Sequence, residues 1–268
     1  MSHRGASFDL SGRIAIVTGG SAGIGFAIAE ALARAGASVT IAARNQERLD
    51  NAALKIARRT GRRVDAVPCD TGSQAEVDRL VASVIEFPGT IDILVNCAAN
   101  PSGITGNIEM LDAAQLLSDL DVKVVGYARC MKAVAPIMKR RRDGRIVNIG
   151  GFTGRTSNTI SGLRNAAIAH LTKTVSDQLG PYNITVNALH PGIVHTPHLE
   201  ELFEAEARSK SVSRSEIEEA FVADTPIRRI IGTDEVAEAV MYLVSGAGGG
   251  ISGQSVTIDG GFTRGIYL

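Results

Sequence analysis

From residue 13 onward, short apolar runs alternate with segments whose apolar residues recur at helical spacing. Strand-type runs cover 13–17, 38–42, 64–68, 91–95, 145–149, 184–189 and 255–258. Helical patterns cover 24–35, 46–59, 73–86, 112–141 with room for a break, 161–179 and 233–245. Ser73 and Glu76 have the spacing of a capping box. Strands that return through helices to parallel neighbours predict an α/β fold. The expectation is a Rossmann-type doubly wound parallel sheet of about seven strands with helices on both faces. No Pro/Gly/Ser-rich linker interrupts the 268 residues, so 1–268 reads as a single domain with its core over about 10–262. The segment 197–229 is polar and helix-rich. Because it follows a strand's carboxyl end, 195–230 is expected to act as a mobile lid.

Within this frame, Thr18-Gly19-Gly20-Ser21-Ala22-Gly23-Ile24-Gly25 directly follows the apolar run Ile14-Ala15-Ile16-Val17. Gly19 permits a tight turn, Gly23 lets a ligand approach the backbone, and Gly25 lets helix pack on strand. The following helix aims unpaired N–H groups and its positive dipole end at the turn, which suits a pyrophosphate. The expected ligand is a dinucleotide. The second strand ends Ile41-Ala42-Ala43-Arg44. A site for NAD(H) usually carries an acidic residue near this point to accept from the ribose 2′-OH. Here Ala43 is followed by a guanidinium able to grip a 2′-phosphate, which favours NADP(H) and leaves NAD(H) open.

Composition narrows the partners. A hydrophobic content of 44% against 21% charged residues supports a sizeable core. A formal net charge of +0 argues against nucleic-acid or membrane-surface binding. Met1–Leu10 lacks an apolar signal core, and no apolar stretch is long enough to cross a bilayer. Cys69, Cys97 and Cys130 lack disulfide or metal spacing and read as reduced thiols of a cytoplasmic protein. The basic run Lys139–Arg142 ends a helix, where cations suit the dipole.

Taken together, the motifs resemble those of the short-chain dehydrogenase/reductase family, over about residues 10–262. Thr18–Gly25 resembles its TGxxxGxG loop, and Cys69-Asp70 its acidic position after the third strand. Asn96-Cys97-Ala98-Ala99 resembles NNAG, and Asn187–Gly192 resembles N-A-x-x-P-G. Ser252-Gly253-Gln254 and Ile258–Gly261 resemble the carboxyl-terminal signature. The resemblance implies a nicotinamide cofactor and a small-molecule carbonyl or alcohol substrate. It also implies a homotetramer or homodimer built on the long helices near 112–141 and 161–179. Its implied cofactor contacts begin with Thr18, Gly19, Ser21, Gly23, Ile24, Gly25, Arg44 and Asn45. They continue with Asp70, Thr71, Asn96, Ala98, Pro191, Gly192, Ile193 and Thr196. Asp70 would hold the adenine; Ile193, Val194 and Thr196 would touch the nicotinamide carboxamide.

The family's proton-transferring Tyr and the Lys four residues later are missing. The tyrosines are Tyr127, Tyr182, Tyr242 and Tyr267; four residues on stand Met131, Val186 and Gly246, and the given sequence ends before the last. Local resemblance puts Ser161 at the Tyr position, Asn165 at the Lys position and Gly151 at the position of the family's Ser. Asp121-Val122-Lys123 resembles D-V-N, with Lys123 in place of Asn. Lys and Asn are thus exchanged between two helices. One reading has Lys123 reach across to Asn165 and restore an ammonium near the cofactor ribose; the other sees two independent losses.

Ser161 is a weak acid with no evident base beside it. Other proton-donor candidates are His190, His195, His198, Arg155 and Arg164, with His195 and His198 close to the expected substrate. Those two histidines lack a third ligand, so no metal is expected. Three functions stand open: a divergent NADP(H)-dependent oxidoreductase with a water, a histidine or Lys123 as proton source, a nucleotide-binding sensor or partner subunit without turnover, and a lyase or isomerase using the fold as a pocket. The expected pocket wall, 101–109, 151–160 and 195–221, holds few aromatics.

Overall fold

Seven strands form one parallel sheet: β1 (Ile14–Thr18), β2 (Ser38–Ala43), β3 (Val64–Pro68), β4 (Ile93–Asn96), β5 (Gly144–Ile149), β6 (Ile184–Pro191) and β7 (Ser255–Ile258). Their order is β3-β2-β1-β4-β5-β6-β7. The computed structural model describes residues 8–87, 89–100, 104, 107–155 and 159–264. Its helices are α1 (Gly23–Arg34), α2 (Gln46–Thr60), α3 (Gln74–Ile85), α4 (Ala113–Leu120), α5 (Gly126–Arg141), α6 (Gly162–Leu179), α7 (Pro197–Lys210), α8 (Arg214–Val222) and α9 (Thr233–Val244). None of the described helices is long and apolar enough to cross a membrane.

Strand side chains alternate between two cores. Ala15 and Val17 join Ile28, Leu32 and Val240 on one face, while Ile16 joins Leu80, Tyr127 and Val134 on the other. A sheet covered on both faces explains why its strands read as continuous apolar runs. The chain builds β2 and β3 on one side of β1, then crosses to β4 on the other. This reversal opens a crevice at the carboxyl end of β1, where the glycine turn lies.

Three local expectations are refined. The helical pattern over 112–141 divides into α4, a five-residue π-helical turn at Asp121–Val125, and α5. The capping box at Ser73 is half made: Ser73 accepts from the Glu76 amide at 3.4 Å, but the Glu76 carboxylate is drawn away to the Asp70 amide at 2.8 Å. The full box occurs instead at Ser213 and Glu216, opening α8. Segment 195–230 contains a helical pair, α7 and α8, around buried Leu199, Phe203 and Ile217. A backbone bridge between Val194 and Ile231 joins the two ends of this excursion.

Candidate active site

The turn after β1 is shaped by backbone contacts that only glycine permits. Gly19 has φ +69°, and a Cβ there would lie 2.8 Å from the Cys97 carbonyl carbon. A Cβ at Gly25 would collide with the Gly19 carbonyl oxygen. The buried Thr18 hydroxyl accepts from the Cys97 and Ala98 amides at 3.1 and 3.3 Å, tying β1 to the end of β4. The first backbone bond of α1 runs from Phe26 N–H to the Ala22 carbonyl. The Ser21, Gly23 and Ile24 amides therefore have no acceptor among the described residues, and no side chain caps the helix. Thr196, the N-cap of α7, comes within 3.4 Å of where a Gly23 Cβ would stand. The amino end of α7 thus closes over the turn.

Around this cradle, the predicted cofactor residues divide by what their side chains do. Arg44 is exposed at the end of β2 with no ion-pair partner among the described residues. Asn45 caps α2 by accepting from the Arg48 amide at 2.8 Å. Asp70 accepts from the Gly72 amide at 2.9 Å, which shapes the turn after β3. Thr71 is buried and donates to the Val122 carbonyl at 3.3 Å. Asn96 is fully buried and donates to Asn148 at 2.9 Å; Asn148 in turn donates to Thr172 on α6 at 3.0 Å. Pro191 ends β6. A Cβ at Gly192 would lie 2.7 Å from the Asp259 Cα, so this turn also presses backbone on backbone. Ile193 packs beside the small core of α7 and α8, half-buried. Thr18, Thr71 and Asn96 are thus engaged in the scaffold, whereas Ser21, Gly23, Ile24 and Arg44 present unpartnered donors.

The sequence motifs assign no role to Asn148, Thr172 or Tyr127. The Tyr127 hydroxyl donates to the Ile149 carbonyl at 2.9 Å from a fully buried position. Their available signal was a polar group inside an otherwise apolar strand or helix face, which predicts a partner without naming it.

Beyond the ends of β4, β5 and β6 lies a second polar cluster. Asn165, Ile168 and Thr172 are buried at helical spacing on α6, which turns Asn165 toward the end of β5. Lys123, in the π turn, is buried and donates to Asn165 Oδ1 and to the Gly150 carbonyl, each at 2.9 Å. Asn165 Nδ2 donates to the Thr153 hydroxyl at 2.7 Å. A hydrogen bond thus joins the exchanged Lys and Asn. A Cβ at Gly151 would lie 2.9 Å from Asn165 Nδ2, so the bare backbone there leaves room for the Asn165 amide. Burial first, then the Arg164 guanidinium, brings the Lys123 pKa down to about 7. Arg164 is itself buried, paired with Asp119 and bonded to the Asn100 carbonyl at 3.1 Å.

The alternative proton donors are differently placed. Ser161 is buried; its hydroxyl accepts from the Ile104 amide and faces the Ile104 carbonyl at 3.4 Å. His190 is buried with Nδ1 within 3.1–3.3 Å of the Gly151 backbone groups, and burial lowers its pKa to about 4. His195 is exposed with Nε2 2.8 Å from the Glu200 carboxylate, and His198 is exposed on α7. Arg155 donates to the Ser255 carbonyl at 2.9 Å. Tyr267 and parts of the expected walls 101–109 and 151–160 lie outside the described residues. Among the described residues, no group of three or more His, Cys, Asp or Glu side chains could hold a metal. A cavity of about 760 Å³ lies between α1 and α9 and includes Phe26 and Met241. It touches neither the glycine turn nor Lys123, so volume alone does not mark this site.

A family model described as enoyl-(acyl carrier protein) reductase matches residues 19–263. The chain belongs to the short-chain dehydrogenase/reductase family. It is 35% identical over 253 residues to the short-chain reductase protein NovJ of Streptomyces niveus, covering 92% of this chain and 93% of that one. It is 31% identical over 262 residues to 2,3-dihydro-2,3-dihydroxybenzoate dehydrogenase of Bacillus subtilis, covering 96% and 98%. Among solved structures of the family, it resembles L-sorbose reductase from Gluconobacter frateurii complexed with NADPH and L-sorbose. There the TM-score is 0.92 at 27% identity, with 97% of this chain and 100% of that one covered. The actinorhodin polyketide ketoreductase with NADPH gives a TM-score of 0.87 at 32% identity, covering 94% and 98%. The unpartnered amides at α1 and the glycine-lined turn fit a dinucleotide of this type.

Proposed function

We propose that this chain is an NADP(H)-dependent oxidoreductase that interconverts carbonyl and alcohol on a small-molecule substrate without the family's usual tyrosine. The observation that carries this reading is the uncapped amino end of α1 above a turn that admits no side chain at Gly19 or Gly25. The two relatives solved with NADPH support the same cofactor here. Such a cofactor supplies or accepts a hydride; the protein binds and orients it and excludes competing chemistry. The Ser21, Gly23 and Ile24 amides would hold the pyrophosphate, Arg44 the 2′-phosphate and Asp70 the adenine. Ala98, Pro191, Gly192, Ile193 and Thr196 would surround the nicotinamide. Lys123, at the position of the family's Asn, and Asn165, at that of its Lys, are joined by a hydrogen bond and would form the polar centre of the site. Family resemblance supports assembly into a homotetramer or homodimer through α5 and α6.

Fluorescence titration with NADPH and NADH, followed by oxidation assays on ketones, quinones and imines, tests this reading. NADPH is expected to bind more tightly and to be oxidised by at least one carbonyl class. Binding without turnover would favour a nucleotide sensor or partner subunit. That second reading draws on Ser161, whose hydroxyl is held by the Ile104 backbone instead of standing free. Absence of nucleotide binding would reject both.

A further inference from the structure

Three of the protic side chains near the ends of β5 and β6 are committed elsewhere. The Ser161 hydroxyl is bonded to Ile104, His190 is held against Gly151, and His195 pairs with Glu200 at an exposed position. Lys123 differs. A lysine ammonium carries three N–H donors. Two are taken, by the Gly150 carbonyl and Asn165 Oδ1, and Nζ has no third partner among the described residues. The neutral amine still carries two N–H groups, so both bonds survive loss of a proton. The third position then becomes a lone pair. The site can therefore hold Nζ in one place in either protonation state.

We propose that Lys123 is the proton carrier of this active site, with Asn165 and the Gly150 carbonyl as its positioning groups. The inference rests on the oxidoreductase reading above. In reduction, the substrate carbonyl carbon receives hydride from the reduced nicotinamide dinucleotide. The C=O π bond breaks, and its electron pair forms an O–H bond with the proton leaving Nζ. Lys123 is left neutral and regains a proton from water. In alcohol oxidation, the neutral amine accepts the hydroxyl proton. A group that titrates near the working pH is effective in both directions. The charged and titratable groups around Nζ come from several elements. Arg164 on α6 disfavours the ammonium and Asp119 on α4 favours it; the Cys97 thiol beyond β4, pushed up to about 11 by burial, is neutral near pH 7. His190 on β6 is neutral near pH 7, and both Arg155 and Lys123 oppose its protonation. Tyr127 on α5 is kept protonated by burial.

Lysine side-chain NMR on the full chain gives a direct readout, with the Lys123 signal identified by its disappearance in Lys123→Met. The wild-type signal is expected to titrate near neutrality, and Asn165→Asp is expected to move the midpoint upward. Lys123→Met should leave NADPH affinity within about twofold while carbonyl reduction falls about a hundredfold or more. Lys123→Arg should not restore the rate, because guanidinium keeps its proton. Reduction by wild type should slow as pH rises through the NMR midpoint. An ordinary lysine midpoint near 10 would overturn the proposal, as would rescue by arginine or a loss of NADPH affinity matching the loss of rate. Wild-type protein that binds no NADPH defeats the oxidoreductase reading and this inference with it. Persistent turnover in Lys123→Met defeats the proton role alone.

Discussion

At the scale of single residues, Lys123 and Asn165 show how sequence spacing can forecast a contact without its use. Their exchange between neighbouring helices suggests one hydrogen bond, and that bond is present at 2.9 Å. Sequence could not reveal that Ser161 faces inward to Ile104, because that contact depends on where a distant loop passes. Nor could it divide the cofactor motif into Thr18 and Asn96, which bind scaffold, and Ser21, Gly23 and Ile24, whose amides stay unpartnered. Arg44 carries the cofactor-preference argument. It is exposed at the end of β2, so water and salt weaken any charge-assisted bond it makes. Arg44→Ala is therefore expected to reduce NADPH affinity about tenfold, at the lower end for such bonds, and to leave NADH affinity within about twofold. Parallel calorimetric titrations of both nucleotides check this; equal losses would remove Arg44 from 2′-phosphate recognition.

At the scale of elements, the strands were legible because burial on both faces makes their sequences continuously apolar. Helix interruptions were less legible. The π turn at Asp121–Val125 carries one more residue per hydrogen-bonded loop than the helices around it, yet composition gives no sign of it. Its effect is local and specific: it lies between α4 and α5 where Lys123 reaches the end of β5. The pair α7–α8 presents a different case. Its few buried residues surround Phe203, whose ring meets Phe221 edge-on at 4.9 Å. Phe203→Ala should remove about 3–5 kcal/mol of packing from this pair while the sheet, which Phe203 does not help to core, keeps its protection. Hydrogen exchange resolved by segment checks it: faster exchange should be confined to 197–222. Uniform loss across β1–β6 would show that the pair is part of the main cooperative unit.

At the scale of the whole molecule, the strand order places the glycine turn at the point where the sheet reverses, beside the end of β4. The same closure buries His190 at the end of β6 and lowers its pKa from 6.5 to about 4. The unfolded chain binds a proton through that window while the folded chain does not. Stability is therefore full above the unfolded value and falls as pH drops toward the folded one, by at most about 1.4 kcal/mol per pH unit. Urea unfolding between neutrality and about pH 4.5 should show this slope, and His190→Gln should flatten it. An unchanged slope in the variant would assign the acid sensitivity to other groups. By itself, the sequence determined the parallel sheet and its reversal turn, because the apolar periodicity and the glycine spacing are local properties of the chain. Only the tertiary structure decided which polar side chains serve the scaffold and which leave donors free. That choice depends on hydrogen-bond partners as far apart as Ile104 and Ser161, or Gly150 and Lys123, and no local pattern encodes their meeting.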